Sequence, residues 1–266
     1  MKKFYCLALF FFMVTVYLSG EYIWAQPLLG SKGQSYETID NDDGPARGTG
    51  DKEESGQINE EPSPISDPIE GYNRVMFTVN DKAYFYAFKP LANGYRVVLP
   101  ERARISVKNL FYNIRMPIRL VNCLLQGKLK GAGAESLRFV INSTIGVAGL
   151  FDPAKSYFCL ETHWEDFGQT LGRYGMGPVF YIQWPFLGPS SLRDTLGFVG
   201  DTALDPLTYL FLTPVALLGS SAYFYDYINI LSLDKDTYEG IVEPAIDPYL
   251  AVQDAYIQNR DKWLKE

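Results

Sequence analysis

Apolar residues recur at intervals of three and four along most of the chain after residue 67, which is the spacing of one face of an α-helix. Four stretches show this pattern most clearly: residues 101–114, 117–126, 132–143 and 248–265. Proline opens the second and the fourth, and Asp247 is predicted to cap the fourth. Only residues 178–184 are rich enough in β-branched and aromatic side chains to predict one short strand. The pattern therefore predicts a mostly α body.

Residues 204–219 depart from that pattern because they are apolar almost all round, with no charge between Asp205 and Gly219. The stretch is too short and too broken by proline to cross a bilayer upright. Two interpretations stay open: a buried core helix, or a segment that lies in one leaflet of a membrane. The aromatic cluster that follows is of the kind that prefers a membrane interface: Tyr223, Phe224, Tyr225 and Tyr227.

The N-terminus has the pattern of an export signal. Lys2 and Lys3 precede an apolar run over residues 4–18, which is shorter than a spanning helix needs. Cleavage is predicted after Ala25, with Gly20 as a second candidate, so residues 1–25 form the signal peptide. An uncleaved membrane anchor is the alternative.

Charge is distributed unevenly along the 266 residues, whose net charge is −7. Residues 26–66 are predicted to be a disordered linker, and positions 27–66 hold nine acids against three bases. An acidic interaction arm is the alternative. Residues 67–266 form the predicted single domain, in which positions 89–138 hold ten bases and two acids. Two interpretations of the basic stretch stay open: it binds anionic lipid headgroups, or its charges and those of the acidic remainder neutralise each other across the fold. The overall acidity argues against a nucleic-acid partner.

No set of residues with the pattern of an active site is found, so the sequence predicts no enzyme and no cofactor. The single histidine, His163, stands among acids without a second His or a Cys at ligand spacing, which favours a loop acid cluster over a metal site. Residues 188–192 lack the closing glycine of a nucleophile elbow. Cys123 and Cys159 are predicted either to form one disulfide or to be two buried free thiols.

Several motifs occur in the order found in one known family. Residues 67–80 (DPIEGYNRVMFTVN) resemble the opening signature of the MlaA (VacJ) phospholipid-transport lipoprotein family. The most specific further match is EDFGQTLG at 165–172 together with GPSSLRD at 188–194. The other matches follow in order at residues 89–100, 109–127, 138–152 and 247–249. The resemblance covers residues 67 to 261, which is nearly the whole predicted body.

The resemblance implies a fold of short and medium helices that form a ring around an amphipathic channel, seated in the inner leaflet of a Gram-negative outer membrane. It implies phospholipid as the cargo, taken from the outer leaflet and passed to a soluble periplasmic lipid carrier, with an outer-membrane porin as partner. It implies no cofactor. Two rivals stay open: a structural adaptor that binds porins without moving lipid, and a periplasmic hydrolase.

Residue roles are assigned by position within these motifs. The lipid passage or gate is predicted to involve residues of the opening signature and one further base, in which Arg96 meets lipid phosphate: Asn73, Arg74, Phe77, Asn80 and Arg96. A membrane-facing apolar segment is predicted at Leu207, Tyr209, Leu210, Phe211 and Leu212. A structural motif that holds loops by hydrogen bonds is predicted at Asp166, Gly168, Arg193 and Asp194. These assignments follow from the resemblance and from residue type.

The N-terminus departs from the family pattern. Members usually carry a lipobox cysteine after the apolar run, whereas Cys6 here precedes that run. We therefore expect no attached acyl chain, with anchoring by the body itself or by an uncleaved N-terminal run. The predicted location is the periplasmic side of the outer membrane.

Overall fold

The computed structural model describes residues 65–211 and 216–265, and for residues 210, 211 and 216–220 it describes the backbone alone. This part of the chain is mostly helical, with one small hairpin. In chain order the helices are α1 (Glu70–Ala83), α2 (Lys89–Val98), α3 (Glu101–Ile114), α4 (Met116–Leu125), α5 (Leu129–Thr144), α6 (Pro153–Ser156), α7 (Phe167–Arg173), α8 (Leu192–Leu204), α9 (Pro206–Phe211), α10 (Ala216–Leu233), α11 (Thr237–Val242) and α12 (Pro248–Lys265). The predicted signal peptide and residues 26–64 of the predicted linker lie outside the described residues.

The four helices predicted from apolar periodicity are confirmed as α3, α4, α5 and α12. Asp247 caps α12 as predicted, because its Oδ1 accepts a hydrogen bond from the Tyr249 backbone N–H at 3.0 Å. Helix α5 begins before the predicted start at 132 and includes Gly131. A Cβ at Gly131 would lie 3.2 Å from the Cys123 Sγ, so this glycine serves close packing against α4.

A π-helical turn at Tyr84–Phe88 joins α1 to α2. Its flanking residues, Ala83 and Lys89, both have right-handed helical dihedral angles, so residues 70–98 form one continuous helix with a single wide turn. The first part of this helix packs on the hairpin and the second part packs on α10.

The hairpin consists of β1 (Tyr181–Trp184) and β2 (Gly188–Ser191), paired antiparallel with Tyr181 opposite Ser191. The prediction of a single strand over 178–184 is therefore corrected in two ways. The strand begins only at Tyr181, because Val179 adopts a positive φ of 66° that extended backbone does not allow. Its partner strand was missed because Gly, Pro and Ser carry no strand signal of their own and are held extended by pairing.

The folded body begins before the predicted boundary at residue 67. Ile65 is buried with Tyr181 and Tyr249 in one apolar cluster. The Ser66 carbonyl accepts a hydrogen bond from the Tyr181 N–H at 2.9 Å, and Ser66 forms a parallel bridge with Phe180. The predicted linker therefore extends two residues too far.

The interior contains small apolar clusters separated by buried polar side chains. One cluster joins the hairpin to α12, a second joins α2 to α10, and a third contains Phe111, Leu207 and Tyr223. Six arginines are buried between them: Arg104, Arg115, Arg119, Arg138, Arg193 and Arg260. Buried arginines need charge partners or hydrogen bonds, so pairs of charges hold these helices together.

Several of these pairs join the basic stretch to the acidic remainder of the chain. Arg115 binds Asp205 and Asp226, at 3.1 Å and 2.6 Å. Lys128 binds Glu165 at 2.7 Å. For these residues the alternative of mutual neutralisation across the fold applies, although the paired side chains are largely buried and not on solvated faces.

Of the apolar stretch at 204–219, residues 206–211 belong to α9 and residues 216–219 to the beginning of α10. In the described ranges, no helix combines the length and the apolar character that crossing a bilayer would require. Cys123 is fully buried, Cys159 is exposed, and neither forms a disulfide. The free-thiol alternative is therefore confirmed, but the prediction that both thiols are buried is wrong for Cys159.

Candidate functional site

Asn73, predicted as a gate residue, is fully buried between α1 and the hairpin. Its Nδ2 donates to the Tyr181 carbonyl at 3.1 Å and to Asp67 Oδ1 at 2.7 Å. Its Oδ1 accepts from the Gln183 N–H at 2.8 Å. The amide group therefore uses its hydrogen-bonding capacity to attach α1 to β1.

Asn80 repeats this contact two helical turns later, at the other end of the hairpin. Its Nδ2 donates to the Trp184 carbonyl at 2.8 Å, and its Oδ1 accepts from the Phe186 N–H at 2.5 Å. Phe186 has a positive φ of 60°, so the Asn80 side chain also stabilises the strained turn between β1 and β2.

Arg74 and Phe77 join α1 to the start of α12. The Arg74 guanidinium lies 4.6 Å from the centre of the Tyr249 ring, and its Nη1 is 2.9 Å from Asp247 Oδ2. The Phe77 ring meets the same Tyr249 edge to face at 5.9 Å. Four of the five predicted gate residues thus meet at one junction of α1, the hairpin and α12.

Arg96, the fifth predicted gate residue, lies apart from this junction. It is exposed on α2, and it has no ion-pair partner among residues 65–211 and 216–265. Its predicted contact with lipid phosphate stays a prediction.

The predicted structural motif forms one network with α12. Arg260 binds Asp166 Oδ2 at 2.6 Å through Nη1 and Asp194 Oδ1 at 2.7 Å through Nη2. Arg193 and the Tyr256 hydroxyl also donate to Asp194. Burial alone would raise the pKa of Asp194, but the charges of Arg260 and Arg193 outweigh it and hold that pKa well below its usual range.

Gly168 allows this network to close. A Cβ at that position would lie 2.5 Å from Asp194 Oδ1 and 2.7 Å from Arg260 Nη2. A helix residue with any side chain would therefore displace the carboxylate or the guanidinium. The four predicted motif residues are brought together, and the fifth member, Arg260, was missed by the sequence analysis. The sequence does carry an indication of this role, because residue 260 falls on the same helix face as Tyr249, Val252 and Tyr256, and a charge on a buried face needs a partner.

A second polar network joins α3, α9 and α10. Arg115 bridges Asp205 and Asp226, and the Tyr223 hydroxyl donates to Asp205 Oδ2 at 2.8 Å. Burial raises the pKa of Asp226 to about 6, although the Arg115 charge opposes the rise. This network was also missed, and its signal is a charge, Asp226, inside the aromatic run 223–227.

Glu135 and His163 form a polar node rather than a metal centre. Glu135 accepts from the Tyr112 hydroxyl and the His163 backbone N–H, each at 2.9 Å, and from Arg119 Nε at 2.7 Å. Across the described ranges, no group of three or more His, Cys, Asp or Glu side chains is arranged to hold a metal ion.

The predicted membrane-facing segment is only partly outward. Tyr209 is more than half exposed, whereas Leu207 is buried against Phe111 and Tyr223. Leu207 therefore belongs to the core, because the helix turn that carries it faces α3 and α10. The side chains of Leu210 and Phe211, and the whole of Leu212, lie outside the described residues.

Large apolar side chains are exposed elsewhere on the surface. Several of them lie on α2, at the start of α5 and in the loops after α5 and before α12: Val97, Val98, Leu129, Ile145, Val147, Phe151 and Ile246. Buried charged residues and exposed apolar residues therefore occur together in this body.

Comparisons with known proteins agree with this architecture. A family model described as MlaA lipoprotein matches residues 65–263. Proteins named intermembrane phospholipid transport system lipoprotein MlaA from Shigella flexneri and Escherichia coli K12 are 34% and 33% identical over 199 residues, or 74% of this chain and 77% of theirs. A solved structure reported as the structural basis for maintenance of bacterial outer membrane lipid asymmetry is 31% identical, with a TM-score of 0.66, and the match covers 75% of this chain and 99% of that one. The chain belongs to the MlaA lipoprotein family.

Proposed function

We propose that this protein is the outer-membrane component of an intermembrane phospholipid transport system. It removes phospholipid that has strayed to the outer leaflet and so maintains the lipid asymmetry of that membrane. The observation that carries the proposal is the family match over residues 65–263. The names of the Shigella and Escherichia relatives support the same cargo.

The distribution of polarity supports a membrane location. Hydrocarbon solvates exposed residues such as Val97, Val98 and Leu129 without the penalty that water imposes. The buried ion pairs keep the polar groups away from that hydrocarbon. We propose that residues 65–266 form one domain on the periplasmic side of the outer membrane, preceded by an export signal at 1–25 and a linker at 26–64.

The transport route is proposed to be a passage enclosed by the helices, from which a soluble periplasmic carrier collects the lipid. An outer-membrane porin is the proposed neighbour in the membrane. No cofactor and no catalytic step are needed, because moving a lipid breaks no covalent bond. The junction that contains Asn73, Arg74, Phe77 and Asn80 is proposed to hold one wall of this passage in place, because its polar groups are engaged in hydrogen bonds.

Transport is tested by complementation. A Gram-negative host that lacks its own MlaA is expected to accumulate outer-leaflet phospholipid, measured as the fraction of lipid cleaved by phospholipase added outside the cells. Expression of the full chain is expected to return that fraction to the wild-type level. An unchanged fraction, together with no phospholipid in the purified protein, would instead support a porin-binding adaptor.

The membrane location is tested by charge. Val98→Glu places a carboxylate on the exposed apolar part of α2, where transfer into hydrocarbon costs about 2–3 kcal/mol. We expect this variant to lose binding to phospholipid vesicles in flotation. Asn93→Glu adds the same charge at an exposed polar position of the same helix and is expected to bind as the wild type does. Equal binding by both variants would contradict the proposed location.

A further inference from the structure

The loop that follows α5 is uncharged and apolar. Residues 139–151 (FVINSTIGVAGLF) contain no charged side chain, and Ile145, Val147 and Phe151 are each more than half exposed. Turns that face water are built mainly from polar residues, glycine and proline. This loop therefore presents apolar carbon where a water-facing turn presents polar groups.

The backbone of the loop satisfies its own hydrogen bonds. Six N–H groups donate to backbone carbonyls of residues 141–147 at 2.8–3.3 Å, those of Ile145, Gly146, Ala148, Gly149, Leu150 and Phe151. The Thr144 hydroxyl, at the exposed end of α5, donates to the Val140 carbonyl at 2.7 Å. Polar groups that already have partners lose little when water is removed, whereas unsatisfied ones make entry into lipid costly.

The loop also has an unusual backbone conformation. Val147, Ala148 and Gly149 follow one another with positive φ angles of 53°, 58° and 93°. This region is disfavoured for residues other than glycine, and most of all for a β-branched valine. Strain of this kind persists where the surrounding structure imposes it, and it clusters at functional sites. Since Val147 is exposed, packing of its side chain in the core does not account for the strain.

The base of the loop is a polar support. Arg138 and Asp152, the charged residues on either side of the uncharged stretch, form an ion pair with 2.7 Å between Nη2 and Oδ2. Asn142 Nδ2 donates to the same carboxylate at 2.9 Å. Gly149 packs so closely on α3 that a Cβ there would lie 2.5 Å from the Asn113 Cβ. The apolar tip is thus held in place, and the charges that flank it neutralise each other at its base.

The exposed residues beside the loop are complementary to a lipid surface. Leu137 and Val140 continue the apolar surface along the last two turns of α5. In α6, which packs on α5, and directly after it, Lys155, Tyr157 and Phe158 are exposed. Aromatic rings and lysines are favoured at the level of lipid headgroups, where the ammonium is attracted to anionic lipid.

We propose that residues 145–151 form a wedge that enters a lipid leaflet at the boundary between headgroups and acyl chains. The proposal rests on the membrane location proposed above and names the part of the surface that penetrates the lipid. Ile145, Val147 and Phe151 contact the upper part of the acyl chains, and Lys155 meets anionic headgroups beside them.

The test compares the surroundings of two matched positions in the full chain, bound to vesicles of phosphatidylethanolamine and phosphatidylglycerol. Val147→Cys and Val179→Cys are each labelled with nitrobenzoxadiazole in a chain that also carries Cys6→Ser and Cys159→Ser. The remaining thiol, that of Cys123, is fully buried. Cysteine is compatible with this backbone conformation, because Cys159 itself has a φ of 51°.

Val179 is the control because it is the same residue type in the same backbone region. Its φ is 66°, and it is 53% exposed, against 57% for Val147. The next residue, Phe180, forms a bridge with Ser66, so Val179 lies where the predicted acidic linker joins the body. We expect an acidic segment, and the surface beside it, to stay in water.

The label at position 147 is expected to be protected from aqueous dithionite and quenched by phospholipids that carry a nitroxide near the top of the acyl chain. The label at position 179 is expected to show the reverse. Val147→Asp is expected to weaken vesicle binding about tenfold, the fold-change for burial of one valine side chain, whereas Val179→Asp leaves it unchanged. Val147→Asp should melt no lower than the wild type, because aspartate adopts positive φ more readily than valine.

The other outcomes also decide the matter. Equal access of dithionite to both labels, in a protein that binds the vesicles, overturns the wedge and leaves the membrane location intact. A label at position 147 that is protected but not quenched by the nitroxide lipids also overturns it, because the loop then contacts protein. A wild type that does not bind the vesicles overturns the membrane location with it. If Val147→Asp melts lower than the wild type, its side chain has a structural role and the two labels decide.

Discussion

We expect Arg260→Met to destabilise the body strongly, because one side chain joins α7, α8 and α12. In the native network its two terminal nitrogens bind Asp166 and Asp194 at 2.6 Å and 2.7 Å. Methionine keeps the length of the side chain and its packing, but it leaves both carboxylates without their shared counter-charge.

The magnitude follows from the burial of the partners. Removing one member of a buried ion pair costs about 3–5 kcal/mol. The lower end applies here, because Arg193 remains 2.9 Å from Asp194 and the Asp166 side chain is 17% exposed. A loss of about 3 kcal/mol lowers the melting temperature of a domain of this size by about 6–12 °C.

The effect depends on pH in a defined direction. The pKa of Asp194 is depressed in the folded protein, against about 3.9 when unfolded. Its contribution to stability is therefore present above about pH 4 and is lost as the pH falls below that value. The gap in melting temperature between the wild type and Arg260→Met should narrow as the pH is lowered from 7 towards 3.

The assay is thermal unfolding of the detergent-solubilised full chain, followed by circular dichroism. Lys262→Met is the control, since Lys262 is an exposed base on the same helix and its loss should change stability by less than about 0.5 kcal/mol. Arg260→Met that melts within 2 °C of the control at pH 7 would refute the view that buried charge pairs hold this body together.

Three further predictions concern single residues. The pKa of Asp226 is raised to about 6 in the fold, so its contribution to folding stability is largest below about pH 4 and is lost as the pH rises through 6. This pH dependence is worth up to about 3 kcal/mol. Asp226→Asn should remove it from melting curves recorded between about pH 4 and 7.5. Gly168→Ala should lower the free energy of unfolding by about 1–3 kcal/mol in chemical denaturation, because the new Cβ meets the Asp194 carboxylate. Gly133→Ala is the control in helix α5, where a Cβ has no neighbour within 4 Å. It should raise the free energy of unfolding by up to about 1 kcal/mol, because alanine is the better helix former. Asn73→Ala should lower the free energy of unfolding by about 3 kcal/mol, because the Gln183 N–H and the Tyr181 carbonyl lose their hydrogen-bond partner. A variant that loses transport at unchanged stability would instead support a role in the gate.

The sequence predicted those parts of the fold whose cause is local. The starts of α3 and α12 were predicted correctly at Pro100 and at the Asp247–Pro248 pair. Proline has a fixed φ that suits the first turn of a helix, so the residue type alone marks the boundary. The second strand of the hairpin was missed because residues 188–191 are extended only through pairing with residues distant in the chain.

In the candidate site, too, the motif residues were predicted, whereas contacts between distant parts of the chain were not. The family motifs marked Asp166, Gly168, Arg193 and Asp194, but the arginine that binds two of them comes from α12, and nothing in the spacing shows which acid it meets. Leu207 was assigned to a membrane surface because its neighbours are apolar. Its burial depends on the position of Phe111 and Tyr223, which a one-dimensional pattern does not contain.

The wide turn at Tyr84–Phe88 has a consequence for how the chain can vary in length. A π turn accommodates one residue more than an α turn and leaves the helices on either side in phase. Counted with that extra residue removed, Asn80 and Ala92 follow Asn73 by 7 and 18 residues, which are about two and five helical turns, so the hairpin-facing asparagines and the α10-facing alanine share one helical face. Loss of the outward-pointing Tyr86 would therefore leave both interfaces aligned, whereas loss of any one residue within α2 would rotate everything after it by about 100°. The turn is thus a point at which an insertion or deletion is absorbed without separating the two halves of the helix from their neighbours.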